Sequence, residues 1–437
     1  MDITPIHNEI PLELKTDAIL DIRVPSVTSY THGFHKYPAK FIPQIPSWAI
    51  KRYIGKQTGK LILDPFSGSG TTLVEASLTG NYSLGIDIDP LSVLIAKVKT
   101  TPLNLPLLNA VVIWLRKTIQ SYNGLLFNPE CDTIEHWFPA ESIDALARIR
   151  TVIELIPNNF GKSEEVKDIY DFLIVCFSSI IRRVSYADNE SQKTYVSHTH
   201  KKEPEAVGPV FDKQLDYFVE RISQFSQHSH LGEARIVRAS SSEPLAQWLN
   251  GEKADLAITS PPYIKAIDYI YNQMAELFWI GDLFEMDTQR KQNAKKVNYV
   301  GNKQIPAKEY SSFIPSEHKF GIGELDDRIE EVFVTDQKNG LKHSYVAYKY
   351  FKLMQGHFES ITKCLKDGAH YVFVVGDSDV SNIHFSTAAY LTDQALKYGL
   401  VLTNRWGYII KNRFMRFDRK GRGGKIDIDW VLDFQKQ

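Results

Sequence analysis

The chain has 437 residues, 43% of them hydrophobic, enough for one large elaborated α/β domain or two to three ordinary ones. Its 51 Lys and Arg balance 52 Asp and Glu; the resulting charge of −1 neither announces nor excludes a nucleic-acid partner, because the distribution of charge matters more than its sum. No apolar run reaches the length of a membrane span, Met1 to Pro11 lacks the pattern of a signal peptide, and Cys131, Cys176 and Cys364 are too few and scattered for a disulfide framework or a cysteine-rich metal site, so a cytoplasmic protein with neither membrane nor metal is expected.

Residues 1 to about 30 read as a polar, Pro-punctuated lead-in. An aromatic and basic loop follows, His32 to Pro43, and then an amphipathic helix from Gln44 to Tyr53. Leu61-Ile62-Leu63 reads as a buried strand leading into Asp64-Pro65-Phe66-Ser67-Gly68-Ser69-Gly70-Thr71-Thr72 and a helix from Leu73 to Leu78. Strand, glycine-rich turn and helix in that order suit a nucleoside cofactor. Gly68 and Gly70 permit a tight turn, and the free amides near Thr71 and Thr72 favour an anionic group. The wording departs from the dinucleotide fingerprint and from a Walker lysine loop. Asn81 to Asp87 is a second strand, and an acid at its tip, Asp87, can accept from both hydroxyls of a ribose. Asp89 is the alternate, or the N-cap of a helix from Pro90 to Lys99.

From Thr101 to Gly232 apolar residues recur at helical spacing, which predicts a helical insertion. Its basic positions include Arg182 and Arg183, with a polar cluster from His198 to Lys202; His198 and His200 read as loop residues rather than metal ligands. Arg235 to Ser240 restarts the sheet. Leu256-Ala257-Ile258 then reads as a buried strand ending at Thr259, stopped by Ser260-Pro261-Pro262-Tyr263. Two prolines hold a rigid extended turn with no amide hydrogens, so the carbonyls of Ser260 and Pro261 are left to accept from something other than protein. Ala266 to Phe284 reads as helical, with Tyr269, Tyr271, Phe278 and Trp279 mostly in the core. Residues 285–342 read as a polar recognition loop, His343 to Lys366 as helix, and Tyr371 to Asp377 as a buried strand. Tyr398 to Ile410 and Ile426 to Phe434 suit a closing hairpin. Between them Lys411, Arg413, Arg416, Arg419, Lys420 and Arg422 form the densest positive stretch, with aromatics interleaved, as a phosphate-tracking loop requires.

Ser260-Pro261-Pro262-Tyr263 resembles motif IV of the amino-methyltransferases that modify exocyclic nitrogens in DNA, and Ser at its first place looks most like the cytosine-N4 branch. The stretch Asp64 to Thr72 resembles motif I of that family, and Tyr37-Pro38-Ala39-Lys40-Phe41 resembles its motif X. The resemblance implies an α/β, Rossmann-like class I methyltransferase with a seven-stranded, mostly parallel sheet, a closing antiparallel hairpin and a helical insertion. The core would span residues 1–100 and 233–437, with 101–232 inserted. It implies S-adenosylmethionine as cofactor, with Tyr37, Pro38, Ala39, Lys40, Phe41, Asp64, Phe66, Gly68, Gly70, Thr71, Thr72 and Asp87 around it. The acid this family places near the adenine is lacking here, and Ser240 is its substitute.

The implied substrate is a base flipped out of double-stranded DNA, held by Ser260, Pro261, Pro262 and Tyr263, in a restriction-modification or defence setting that can include a cognate endonuclease. Methylation at ring carbon 5 is rejected, because it uses a cysteine after a proline and no cysteine here follows one. Three alternatives stay open: adenine N6 as acceptor, a guanine in structured RNA, and a catalytically silent DNA-binding specificity subunit.

Overall fold

Leu61-Ile62-Leu63, Leu256-Ala257-Ile258 and Val372 to Val375 are apolar at successive positions, and successive side chains of a strand point to opposite faces, so these strands must lie in a sheet covered on both sides. The computed structural model, which describes all residues except 1–2, 8, 24–27, 38–40, 189–193, 198, 200, 265–267, 289, 293–304 and 411–427, has that arrangement. In chain order its strands are β1 (Ile3–Ile6), β2 (Ala18–Ile22), β3 (Leu61–Asp64), β4 (Tyr82–Asp87), β5 (Ala234–Arg238), β6 (Ala254–Thr259), β7 (Leu365–Gly376), β8 (Ser378–Val380), β9 (Ile383–Phe385), β10 (Leu400–Ile409) and β11 (Ile428–Lys436). β8 and β9 form a separate ribbon; the others form one sheet in the order β1-β2-β10-β11-β7-β6-β3-β4-β5.

The alternation within each central strand sorts the core in two. Ile62, Leu256, Ile258, Val372 and Val374 face the helix Gln44–Tyr53, meeting Ile45, Trp48, Ala49 and Ile50. Leu63, Ala257, Phe373 and Val375 face the helix Gly340–Cys364, meeting Tyr350, Phe351, Met354 and Phe358. Each buried aliphatic or aromatic side chain contributes about 1.5–3 kcal/mol.

The seven strands from β10 to β5 are the expected mostly parallel sheet, with β11 antiparallel to both β7 and β10 as the closing hairpin requires. The lead-in is not merely irregular: β1 and β2 add two parallel strands beside β10, making nine. Pro5 fits there because β1 is an edge strand, where a missing amide is tolerated. The stretch read as a polar loop also holds a helix, Gly323–Thr335, which buries Leu325, Ile329 and Val332 on one stripe; Lys295 to Gly301 lie outside the described residues.

Between β4 and β5 the named elements are all helices, including Pro90–Thr100, Leu105–Ser121, Ala140–Glu154, Glu164–Ile180 and Val207–Ser226. Their core includes Leu91 and Ile95 and is shared with Met274, Phe278 and Trp279 downstream of β6. Arg150 fastens the two parts. It is 1% exposed and donates to the Trp279 carbonyl at 3.2 Å and to Asp282 Oδ2 at 2.9 Å, with Glu154 as a third partner. Arg150→Ala strips donors from all three while leaving a void, and is expected to lower stability by about 3 kcal/mol in urea unfolding followed by tryptophan fluorescence.

Candidate active site

In an open α/β sheet, ligands bind outside the carboxyl ends of the strands where the strand order reverses. Here β3 has β6 on one side and β4 on the other, and the chain leaves it in both directions. A cleft lies over the loops that follow β3, β4, β5 and β6, with about 720 Å3 of empty space that includes open solvent.

The loop after β3 turns through two glycines, Gly68 at φ 47° and Gly70 at φ 80°, a left-handed conformation that costs a side-chain-bearing residue about 1–2 kcal/mol. Gly70 caps the helix Thr71–Leu78, and a Cβ on it would stand 2.9 Å from Ala96 Cβ. A Cβ on Gly68 would meet Tyr37 Cε1 at 3.1 Å. Gly68 and Thr71 line the cleft, so the start of this helix and its free amides open onto it. The buried hydroxyl of Ser67, also at the cleft, finds no partner among the described residues. A glycine cradle, a helix start and an unpaired hydroxyl fit a polar, partly anionic ligand such as the methionine end of S-adenosylmethionine.

Two carboxylates brace this loop. Asp64 is fully buried and accepts from Thr259 Oγ1 at 2.6 Å and from the Phe66 amide at 3.2 Å, tying the tip of β3 to that of β6. Burial pushes its carboxyl up to about 6. Asp87 lines the cleft and accepts from the Gly68 amide and the Asp89 amide, both at 2.8 Å; burial and then the charge of Asp89 push it up to about 7. Asp89 is the N-cap of the helix Pro90–Thr100, accepting from Ser92 N at 2.9 Å and from Gln273 Nε2 at 2.9 Å.

Tyr37, Phe41, Phe66, Ser240, Ser260 and Pro262 line the same cleft. Phe66 packs 5.0 Å from the buried ring of His357, which burial holds at about 4 and which bonds the Tyr371 hydroxyl at 2.7 Å. Asp64, Gly70, Thr72, Pro261 and Tyr263 stand behind the lining rather than in it. Tyr263, expected as a flat face beside the prolines, is half-buried, and its hydroxyl donates to Asp429 Oδ1 at 2.6 Å. Sequence reasoning placed most of Tyr269, Tyr271, Phe278 and Trp279 in the core without singling any out; Tyr269 lines the cleft, its ring stacked on Tyr37 with centroids 5.9 Å apart. Pro65, Ser67, Ser69, Ile88, Asp89, Ala239 and Ser241 complete the walls; Asp89 was the alternate acid, and for the others nearness to motif residues was the available signal.

Of the residues expected to meet phosphate, Arg182 donates to the Asp188 carbonyl at 2.9 Å and to Asn272 Oδ1 at 3.3 Å, and Arg183 forms a forked pair with Glu205 at 2.9 and 2.7 Å. Pro38, Ala39, Lys40, His198, His200, Lys411, Arg413, Arg416, Arg419, Lys420 and Arg422 lie outside the described residues. Among the described residues no group of three or more His, Cys, Asp or Glu is placed to hold a metal, and no helix is long and apolar enough to cross a membrane.

Residues 13–98 match a family model described as DNA methylase. The chain is 25% identical over 394 residues to the type II methyltransferase M.MvaI of Kocuria varians, a match covering 85% of this chain and 82% of that protein. It is 28% identical over 284 residues to the type II methyltransferase M.BsoBI of Geobacillus stearothermophilus, covering 57% and 52% of the two chains. A shorter stretch of 92 residues is 44% identical to the type II methyltransferase M.MjaII of Methanocaldococcus jannaschii, 21% of this chain and 17% of that one. Taken with a sheet of this strand order, the family match and the three relatives support an amino-methyltransferase.

Proposed function

We propose that the protein transfers a methyl group from S-adenosylmethionine to the exocyclic N4 amine of a cytosine flipped out of double-stranded DNA. One observation carries this: Ser260 and Pro262, from the loop after β6, open onto the same cleft as Gly68, Thr71 and Asp87. The cofactor, when bound, supplies an electrophilic methyl group. Tyr37, Phe41, Phe66, Gly68, Thr71, Asp87 and Ser240 would hold it, with Asp64, Gly70 and Thr72 supporting from behind.

The chain's own work is on the amine. Its lone pair is delocalised into the ring, so nitrogen is a poor nucleophile until it rehybridises. Ser260 Oγ, at the cleft wall, accepts a hydrogen bond from the amine, and the carbonyl of Pro261, held between the lining residues Ser260 and Pro262, would accept a second as the base seats; both favour charge developing on nitrogen, and a group preorganised in this way contributes about 10²–10³ in rate. The double proline keeps that carbonyl in place without reorganisation. Extruding the base costs a few kcal/mol, which ring contacts and backbone contacts offset. The serine in the first place of the tetrad supports cytosine over adenine, and the three relatives, each a type II methyltransferase by name, support a DNA acceptor in a restriction-modification or defence setting.

The deciding experiment is nucleoside mass spectrometry of plasmid and tRNA incubated with the protein and labelled cofactor. N4-methylcytosine in DNA is expected. N6-methyladenine alone would move the acceptor, a product in tRNA would move the substrate, and cofactor binding without any product across many DNA sequences would leave a silent specificity subunit. Asp87 gives a pH test of the cofactor side. Ribose hydroxyls donate to its ionised form, and the carboxyl keeps its proton up to about 7, so affinity for S-adenosylmethionine is expected to rise as pH passes upward through that value and then level off. Asp87→Asn should flatten the rise in calorimetric titrations between about pH 6.5 and 8.

A further inference from the structure

Tyr263 is fixed at its two ends by different means. Its backbone follows two prolines, whose rings restrict φ. Its hydroxyl is bound to Asp429 Oδ1 at 2.6 Å. Asp429 lies near the start of β11, directly opposite Gly376 at the end of β7 and Tyr408 on β10, so the carboxylate stands at the cleft end of the sheet, two strands away from β6. It faces two phenols, Tyr263 from the loop after β6 and Tyr408 from β10, and no Lys, Arg or His among the described residues is paired with it. Burial pushes its carboxyl up to about 6. A half-buried acid with no cation paired to it among the described residues adds little to the sheet, since desolvation opposes its charge. Its geometry serves something else: the hydroxyl is the far end of the tyrosine side chain, and a bond there fixes χ1 and with it the place where the ring stands.

We infer that Asp429 is a positioning residue of the transfer site: it accepts from the Tyr263 hydroxyl and so holds that ring beside Ser260 and Pro262, while Tyr408 steadies the carboxylate from the next strand. The inference rests on the reading of Ser260 to Tyr263 as the element that holds the target base. It also assigns a reason for tyrosine rather than phenylalanine at position 263.

The test compares single-turnover methylation and cofactor affinity for the wild type, Tyr263→Phe, Asp429→Ala, Asp429→Asn and the double variant Tyr263→Phe/Asp429→Ala. Misplacing a reacting group by about 1 Å can lower rate by about 10²-fold, so Tyr263→Phe and Asp429→Ala should each reduce the transfer rate by about 10- to 100-fold. Affinity for S-adenosylmethionine should stay within about twofold. The double variant should be no worse than the slower single one, because both remove one bond. Asp429→Asn keeps an acceptor oxygen and should restore the rate to within about threefold of wild type. Additive losses in the double variant, or a loss shared equally by cofactor affinity, would overturn the inference. Should Asp429→Ala not fold, Tyr263→Phe decides alone: full activity there overturns it, since that variant keeps the ring and lacks only the bond. An active wild type with an active Tyr263→Phe sinks this inference and spares the proposed function, whereas a wild type that methylates no DNA sinks both.

Discussion

Gly68→Val is expected to lower affinity for S-adenosylmethionine by about 100-fold while the chain stays folded. Two effects add. The residue sits at φ 47°, where a side chain costs about 1–2 kcal/mol and a β-branched one more. The new Cβ would stand 3.1 Å from Tyr37 Cε1, so the Tyr37 ring must move, and with it the bond its hydroxyl accepts from Ser92 Oγ at 2.8 Å. The free turn relieves both by leaving the cradle conformation, and restoring it on binding then costs roughly 3 kcal/mol, which is about two powers of ten in a dissociation constant. Isothermal titration calorimetry reads the loss, and far-ultraviolet circular dichroism checks the fold. Affinity within about threefold of wild type would mean that the turn after β3 does not hold the cofactor.

Ser260→Ala and Pro262→Ala are expected to act on the other half of the reaction. Each should reduce kcat by about 10²-fold or more and leave cofactor affinity within about twofold, because what is lost is made only as charge develops on the amine. Ser260→Ala removes an acceptor outright. Pro262→Ala keeps every polar atom and frees the backbone that aims the Pro261 carbonyl. A rise in KM for DNA with kcat unchanged would show instead that the tetrad only binds the substrate.

The central strands were legible because a strand covered on both faces has to be apolar at every position, and Leu61 to Leu63, Leu256 to Ile258 and Val372 to Val375 are. The turns after them were legible because glycine and proline act locally. What escaped depended on distant partners. Ala18-Ile19-Leu20 is a short apolar run with no signal of its own until Trp406 to Tyr408 lies beside it. Gly323–Thr335 hides a stripe of Leu325, Ile329 and Val332 among five acidic residues, and only the helix it packs on shows that the stripe is buried. In the site, Tyr269 has an apolar body and a polar tip, and the sequence cannot say whether such a ring meets the core or a cleft. The partner of the Tyr263 hydroxyl was out of reach for the same reason: Asp429 is 166 positions away.

The pairing of β2 with β10 has a bearing on how this chain is made. Thr16 and Asn404 touch across 388 positions, so a ribosome adding about 5–20 residues per second delivers the second half of that seam tens of seconds after the first. Until then β2 has no mate on that flank, and the emerging polypeptide carries an open strand edge of the kind that chaperones shield. Contacts this far apart in sequence also make folding slow. Removing the first 22 residues would leave the outer flank of β10 bare on the finished molecule, a standing invitation to self-association.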